Sequence, residues 1–242
     1  MSCIFQSSIG KKLIMSVSGM LLVLFLLFHM SMNLVAAFSG ASYNAVCEFL
    51  GTNWYALAGT AVLALGFLVH IVYAFILTVQ NRRARGNDRY AVVDAPKGVE
   101  WSSQNMLVLG IIVLLGIGLH LYQFWSHMML AELTGCHYLY EPTNGVSFIA
   151  YYFGQWPVAV AYIVWIGAIW FHLTHGFWSM LQTLGWNNEI WLSRWKSVAM
   201  WYTTIVCVGF AIVIIGFALG VFPLIDRYAT MPIGGGCAAP CM

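Results

Sequence analysis

Four histidines, His29, His70, His120 and His172, each stand inside a long uncharged apolar stretch. An imidazole that deep in hydrocarbon is costly without a partner, so an ionisable side chain in such a place marks function by default. Four of them, one per stretch, make two pairs. A pair of neutral imidazoles facing one another across a helix bundle suits the two axial positions of a haem iron. On these residues alone the chain reads as a di-haem membrane cytochrome. Filling both axial positions favours electron transfer over binding of oxygen.

The elements that must position these residues follow from composition. Charged residues are 7% of the 242, and 61% are hydrophobic, against about 25% charged in a typical soluble domain. Uncharged windows run over 13–47, 49–81, 101–131, 142–188 and 197–225. Each exceeds the roughly 20 residues a helix needs to cross about 30 Å of hydrocarbon. We therefore expect an all-α integral membrane fold in one membrane domain, with five transmembrane helices near 13–38, 55–81, 105–130, 157–183 and 198–222. The first four form a haem-binding bundle and the fifth is peripheral. Trp54, Trp101, Trp156, Trp186, Trp191 and Trp195 flank the apolar cores, as an interfacial belt requires. The apolar run after Lys11 and Lys12 is too long for a signal-peptide core of about 7 to 15 residues, so the first span is expected to be retained.

Orientation follows from the basic residues. Lys11 and Lys12 precede span 1, Arg82, Arg83, Arg85, Arg89 and Lys97 separate spans 2 and 3, and Arg194 and Lys196 separate spans 4 and 5. Nine of the ten Lys and Arg thus fall on one side, which the positive-inside rule makes cytoplasmic. The N-terminus is then inside, and residues 223–242 form an outer tail. The segment 82–100 carries eight of the eighteen formal charges. It reads as a cytoplasmic loop, either plainly solvated or a docking surface for a soluble partner. A net charge of +2 gives no reason to invoke nucleic acid.

An internal repeat supports the haem reading. Gly19 precedes His29 by ten residues and Gly110 precedes His120 by ten, while Ala74, Phe75 and Gln80 follow His70 as Gly176, Phe177 and Gln182 follow His172. A residue four positions from a ligand lies on the same face one turn away, so Ala74 and Gly176 leave room for a flat macrocycle. Ten residues are about 15 Å of rise, which puts Gly19 and Gly110 at the depth of a second haem. Ordinary small-residue helix packing is the plain alternative for any one of them. Spans 1 and 3 run outward with their histidines late, and spans 2 and 4 run inward with theirs well before the inner end. His29 and His120 are therefore expected to hold an outer haem, and His70 and His172 an inner one. Ser16, Ser18, Gln80, Gln104 and Gln182, near the inner ends, are candidates for hydrogen bonds to the inner haem propionates.

Three other histidines are weaker candidates. His175 competes with His172 but does not fit the repeat, His127 lies two turns beyond His120 on a similar face and reads as interfacial, and His137 reads as a solvent-exposed loop residue. The six cysteines include no CxxC or CxxCH, so neither an iron-sulfur site nor covalent haem attachment is indicated. Cys47, Cys136, Cys237 and Cys241 share the expected outer side, where disulfides are permitted. Their pairing is left open, and the tail PIGGGCAAPCM is expected to be loosely ordered.

The motifs LFLLFHM around His29, FLVHIVYAF around His70, GLHLY around His120 and FHLTHGFWSMLQTLG around His172 resemble the di-haem cytochrome b subunit of succinate:quinone oxidoreductases and quinol:fumarate reductases. The resemblance covers all five spans. It implies two haems b, a flavoprotein (FAD) subunit and an iron-sulfur subunit on the cytoplasmic side of a bacterial inner membrane, and electron exchange with menaquinone in the lipid. The chain would be the non-flavin subunit of the enzyme, with no dicarboxylate site of its own. The resemblance implies the same ligand pairs and favours His172 over His175.

Quinone chemistry moves protons as well as electrons, so a proton donor or acceptor is needed near one haem; Glu48, His127 and Glu132 are the outer candidates. Some relatives use an acidic residue of the first outer loop, where Glu48 is the nearest, against a plain solvated acid. Some fumarate-reducing relatives carry a Glu two positions before the last ligand, where this chain has Trp170, which puts that proton route in doubt. Two rivals stay open. A cytochrome b of a hydrogenase or formate dehydrogenase would share the histidines, and a non-haem transporter would share the apolar helices but leave the buried imidazoles unpartnered.

Overall fold

The computed structural model describes residues 7–85, 100–186 and 188–222, with the backbone of 233–237. Helix α1 (Ser8–Leu34) begins where the Ser7 hydroxyl accepts from the Gly10 N–H at 3.0 Å, satisfying a donor that the helix cannot. A short 3₁₀ turn (Val35–Ala37) leads to α2 (Gly40–Thr52), capped by Ser39, whose hydroxyl accepts from the Ser42 N–H. Then come α3 (Trp54–Arg85), α4 (Trp101–Gln104) and α5 (Met106–His120). At His120 the third long helix changes character. It continues as a π-helix over Leu121–Leu130 and returns to α-geometry in α6 (Ala131–Thr134). Gly135 ends it in the left-handed region, at φ +65°, where a Cβ would be strained.

Strand β1 (Cys136–Leu139) and α7 (Gly145–Phe153) precede α8 (Trp156–Thr183) and α9 (Glu189–Ala218). Asn188 caps α9 by accepting from the Ile190 and Trp191 N–H groups at 3.1 and 2.8 Å. The last element is β2 (Ile233–Cys237). Five helical segments are long and apolar enough to cross a membrane: Ser8–Ala37, Trp54–Ala84, Met106–Thr134, Trp156–Thr183 and Glu189–Ala218. Large side chains such as Leu24, Leu65, Leu115, Val164 and Ile205 face outward, as lipid contact allows and water does not.

The structure departs from the sequence expectations in four places. The fifth helix begins at Glu189 and not near 198, so Arg194 and Lys196 lie on helix and not in a loop. It is also not peripheral: 39% of its apolar window is buried inside the protein, against none for the second span. Two helices, α2 and α7, occupy segments expected to be loops, and they pack on each other through Asn44, which donates to Asn144 Oδ1 and accepts from the Val146 N–H. Finally, the fold is not purely helical and part of the tail is ordered. β2 pairs antiparallel with β1, Cys136 opposite Cys237 and Leu139 opposite Ile233. The run of glycines in β2 hid this strand, because glycine has little strand preference of its own and its partner is remote in sequence. Most of the expected cytoplasmic loop, 86–99, lies outside the described residues, as does most of the tail.

The chain divides into two compact units. The first comprises residues 1–26, 61–111 and 170–204, the second 27–60, 112–169 and 205–242. In the first, Tyr202 donates from its hydroxyl to the Val23 carbonyl and Trp170 donates to Thr204 Oγ1 at 2.9 Å. In the second, α9 packs its Gly209 against Met30, and the Trp165 indole lies on Gly116 while donating to the Val113 carbonyl at 3.1 Å. A side chain at 116 would collide with that ring. Gly116→Val should therefore destabilise the protein by about 1–3 kcal/mol, seen as a lower melting temperature in detergent, whereas Gly118→Ala, which meets nothing within 4 Å, should not.

Candidate functional site

Each unit contains one of the expected histidine pairs. In the second unit, α1 presents His29 and the end of α5 presents His120. Their ring centroids are 5.7 Å apart with planes at 81°. A metal bound between two imidazole nitrogens, each at about 2.0 Å, sets the centroids roughly 6 Å apart, so this spacing fits a shared axial ion. His120 sits among Phe124, Tyr162 and Trp165 at 5.3, 6.3 and 5.9 Å, and Phe210 of α9 lies 5.7 Å from His29. Behind them the Tyr162 hydroxyl donates to Gln123 Oε1 at 2.9 Å in a buried bond. Widening to a π-helix directly after His120 is a local irregularity of the kind that recurs at functional sites.

In the first unit, α3 presents His70 and α8 presents His172. A Cβ built on Gly19 would touch His70 Cε1 at 3.4 Å, and one built on Gly110 would touch His172 Cε1 at 3.7 Å. The two hairpins thus repeat one arrangement, in which a glycine of the first helix receives the imidazole of the second. That is a closer role for Gly19 and Gly110 than the sequence assigned them. At Gly176 a Cβ would meet nothing within 4 Å, leaving open space one turn from His172, and Ala74 stands in the matching place after His70.

The second ring nitrogens are treated unequally. His29 Nδ1 lies 3.4 Å from the Asn33 amide. His70 Nδ1 lies 3.4 Å from Ser18 Oγ, whose own proton goes to the Met15 carbonyl at 3.0 Å, so the Ser18 oxygen can accept an N–H and leave Nε2 free as a ligand. Ser18, expected to serve a propionate, is engaged with an imidazole instead. His120 Nδ1 and His172 Nδ1 are buried and have no hydrogen-bond partner among the described residues. No group of three or more His, Cys, Asp or Glu able to hold a metal ion occurs among the described residues; paired imidazoles alone are the ligands that a macrocycle's four nitrogens leave to be supplied.

The remaining candidates are placed as follows. His175 does not join His172. Its Nδ1 is 3.1 Å from Glu100 Oε2, and Lys196 Nζ is 2.9 Å from Glu100 Oε1. Trp178 closes this cluster, with the Lys196 ammonium 4.5 Å above its ring. His127 donates from Nδ1–H to the Tyr122 carbonyl, 2.9 Å away, and its ring meets Phe148 and Tyr152, neighbours different from those of His120. The pKa of its neighbour Tyr152 is pushed up to about 12 by burial and by Tyr151 and Tyr122. His137 is not simply solvated but paired with Glu141 at 3.2 Å. Glu48 is exposed on α2, and Glu132 lies half-buried on α6. Ser16 is buried, and Gln104 and Gln182 are exposed. Cys136 is disulfide-bonded and Cys47 and Cys207 are free thiols.

Sequence reasoning missed three of these features. Asn33 stands four residues after His29, a signal that helical spacing offers. The Glu100 to His175 contact and the Tyr43 contact described below join distant segments and left no local signal.

Partial burial alone would raise the Glu100 carboxyl, but the hydrogen bonds and charges of Lys196 and His175 hold it below the usual carboxylate range. A depressed folded pKa means that the ion pair stabilises fully above the ordinary carboxylate value and is lost as pH falls through the folded one. Half-exposed pairs are worth roughly 0–1 kcal/mol, so Glu100→Gln should lower the melting temperature slightly at pH 7, and the difference between the two proteins should vanish as pH falls below the ordinary carboxylate range and the Glu100 carboxyl takes up its proton. Compared with protein-family models, curated proteins and solved structures, the chain matches none, and its function is argued from its own residues.

Proposed function

We propose that the chain is the cytochrome b membrane-anchor subunit of a succinate:quinone oxidoreductase or quinol:fumarate reductase, carrying electrons by two haems b between an iron-sulfur subunit and menaquinone. The observation that carries this reading is the pairing of remote imidazoles. His29 and His120 approach to 5.7 Å from different spans, and the imidazoles of His70 and His172 lie in matching places against Gly19 and Gly110.

His29 with His120 and His70 with His172 would hold one haem each, and bound haem supplies one-electron transfer. The protein's own residues do the positioning. Gly19 and Gly110 let the imidazoles of His70 and His172 lie close to a neighbouring helix, Ser18 orients His70, and the rings of Phe124, Tyr162 and Trp165 orient His120. The His29 and His120 pair would lie toward the outer face. The disulfide at Cys136 supports placing β1 in an oxidising compartment, and the clustering of basic residues supports a cytoplasmic N-terminus. Flavoprotein and iron-sulfur subunits would then dock on the basic side. Glu48, His127 and Glu132, all in the second unit, are the residues that would exchange protons with the quinone.

Purification of the chain with its partners tests the reading. A pyridine haemochrome assay should return two b-type haems per chain, and the co-purifying soluble subunits should include a flavoprotein that oxidises succinate or reduces fumarate. His29→Ala and His120→Ala should abolish one and the same redox component, His70→Ala and His172→Ala the other, and His175→Ala neither. Loss of a shared component in His29→Ala and His172→Ala would disprove the pairing, and one haem or none per chain would sink the assignment.

A further inference from the structure

A hydrogen-bonded chain leads away from His29 through residues that no step above uses. Asn33, one turn along α1, places Nδ2 2.8 Å from the His29 carbonyl and 3.4 Å from His29 Nδ1. Its Oδ1 accepts from the Tyr43 hydroxyl at 3.1 Å. Tyr43, on α2, is 7% exposed and interacts with the Cys47 thiol one turn on. Burial raises Tyr43 well above its usual value, with Cys47 adding to the effect, and raises Cys47 to about 11. Both therefore stay neutral and keep their protons near pH 7. A Cβ at Gly145 would collide with Cys47 and Tyr43, so α7 closes the far side and leaves no room there for a ligand. The chain is a packed support, not a pocket.

Its polarity can run two ways. As drawn, Tyr43 donates to Asn33 and Asn33 donates to the imidazole, which leaves Nδ1 an acceptor and puts the ring proton on Nε2. That tautomer cannot coordinate through Nε2. Coordination there requires the proton on Nδ1, and an acceptor facing it is the arrangement that metal-bound histidines usually adopt. Rotating the Asn33 amide by half a turn supplies it. Oδ1 then accepts from His29 Nδ1–H, Nδ2 donates to the Tyr43 oxygen, and the Tyr43 hydroxyl donates to Cys47 Sγ. The rotation gives up the bond to the His29 carbonyl, and because that oxygen lies 2.8 Å from the swapped amide position the Asn33 side chain must also swing away from it, leaving the carbonyl to its helical partner.

We propose that Asn33 and Tyr43 are positioning residues for His29, fixing its tautomer and donor strength toward iron through a hydrogen-bond chain anchored on α2. The proposal rests on the haem reading of the His29 and His120 pair. An acceptor at Nδ1 makes an imidazole more basic and favours ferric over ferrous iron, and losing such a partner costs about 10- to 100-fold in metal affinity.

The test is redox titration of the intact purified complex, read with the low-temperature spin-resonance signature of each haem. Asn33→Leu should raise the midpoint of the component that His29→Ala abolishes, a tenfold change in the ferric-to-ferrous preference being about 59 mV for one electron. Asn33→Asp, a stronger acceptor, should lower it. Tyr43→Phe, which removes one oxygen, should move it in some degree and decides the matter if the Asn33 variants fail to assemble. The other component should stay put in all three. Opposite shifts in Leu and Asp variants are not what a merely loosened helix gives. If the wild-type complex carries both haems and the variants leave the His29-linked midpoint unmoved, or shift both components alike, the proposal is wrong while the haem reading stands. If the wild type carries no haem, the haem reading itself fails.

Discussion

The structure depends on the need to satisfy imidazole nitrogens where no water can reach them. In hydrocarbon a backbone or side-chain polar group has only protein partners. An unmatched one costs roughly 1–3 kcal/mol even by the gentler measures from soluble proteins. Four histidines therefore impose eight nitrogens on the design of four helices. Gly19 and Gly110 exist to admit rings, Ser18 and Asn33 to meet them, and Trp165 lies on Gly116 so that the aromatic wall beside His120 can close. The spans are otherwise an apolar scaffold whose side chains face lipid.

The fifth helix shows how this demand recruits an element without a buried histidine of its own. Its apolar window is the most buried of the five. Thr204 receives the Trp170 N–H, Tyr202 reaches the Val23 carbonyl, and Phe210 lies against His29. Each of these contacts secures a polar end or covers a ring. A helix without histidines looked peripheral from sequence because the repeat groups the first four spans into two hairpins and leaves the fifth outside them.

Legibility followed the range of the interaction. The five spans were readable because a bilayer imposes a length of about 20 apolar residues, and the repeat was readable because helical spacing ties Gly19 to His29 and Ala74 to His70. Helices α2 and α7 were not. They are short, mixed in polarity, and held by Asn44 reaching Asn144 and Val146, about a hundred residues on. The π-segment after His120 and the β1 to β2 pairing escaped for the same reason, since neither leaves a local period. His175 was weighed as a ligand because spacing alone cannot see Glu100, 75 residues away. Asn33 is the one omission that local reasoning had the means to repair.

An asymmetry within each pair remains to be accounted for. One imidazole, His29 or His70, has its Nδ1 beside a side chain of α1, while its opposite, His120 or His172, has a buried Nδ1 with no partner among the described residues. Two rigidly hydrogen-bonded ligands on a common axis would have to agree in geometry to a few tenths of an ångström, and any disagreement would be stored as strain. With one imidazole fixed by hydrogen bonds and the other by ring packing, as His120 is by Phe124, Tyr162 and Trp165, the second could rotate to suit the first in the proposed pair. Dispersion contacts constrain ring position firmly and rotation weakly. The cost of an unmet N–H is then the cost of tolerance. It falls on the helices of the second hairpin, α5 and α8, because α1 supplies both hydrogen-bonding side chains and reaches the imidazoles on itself and on α3.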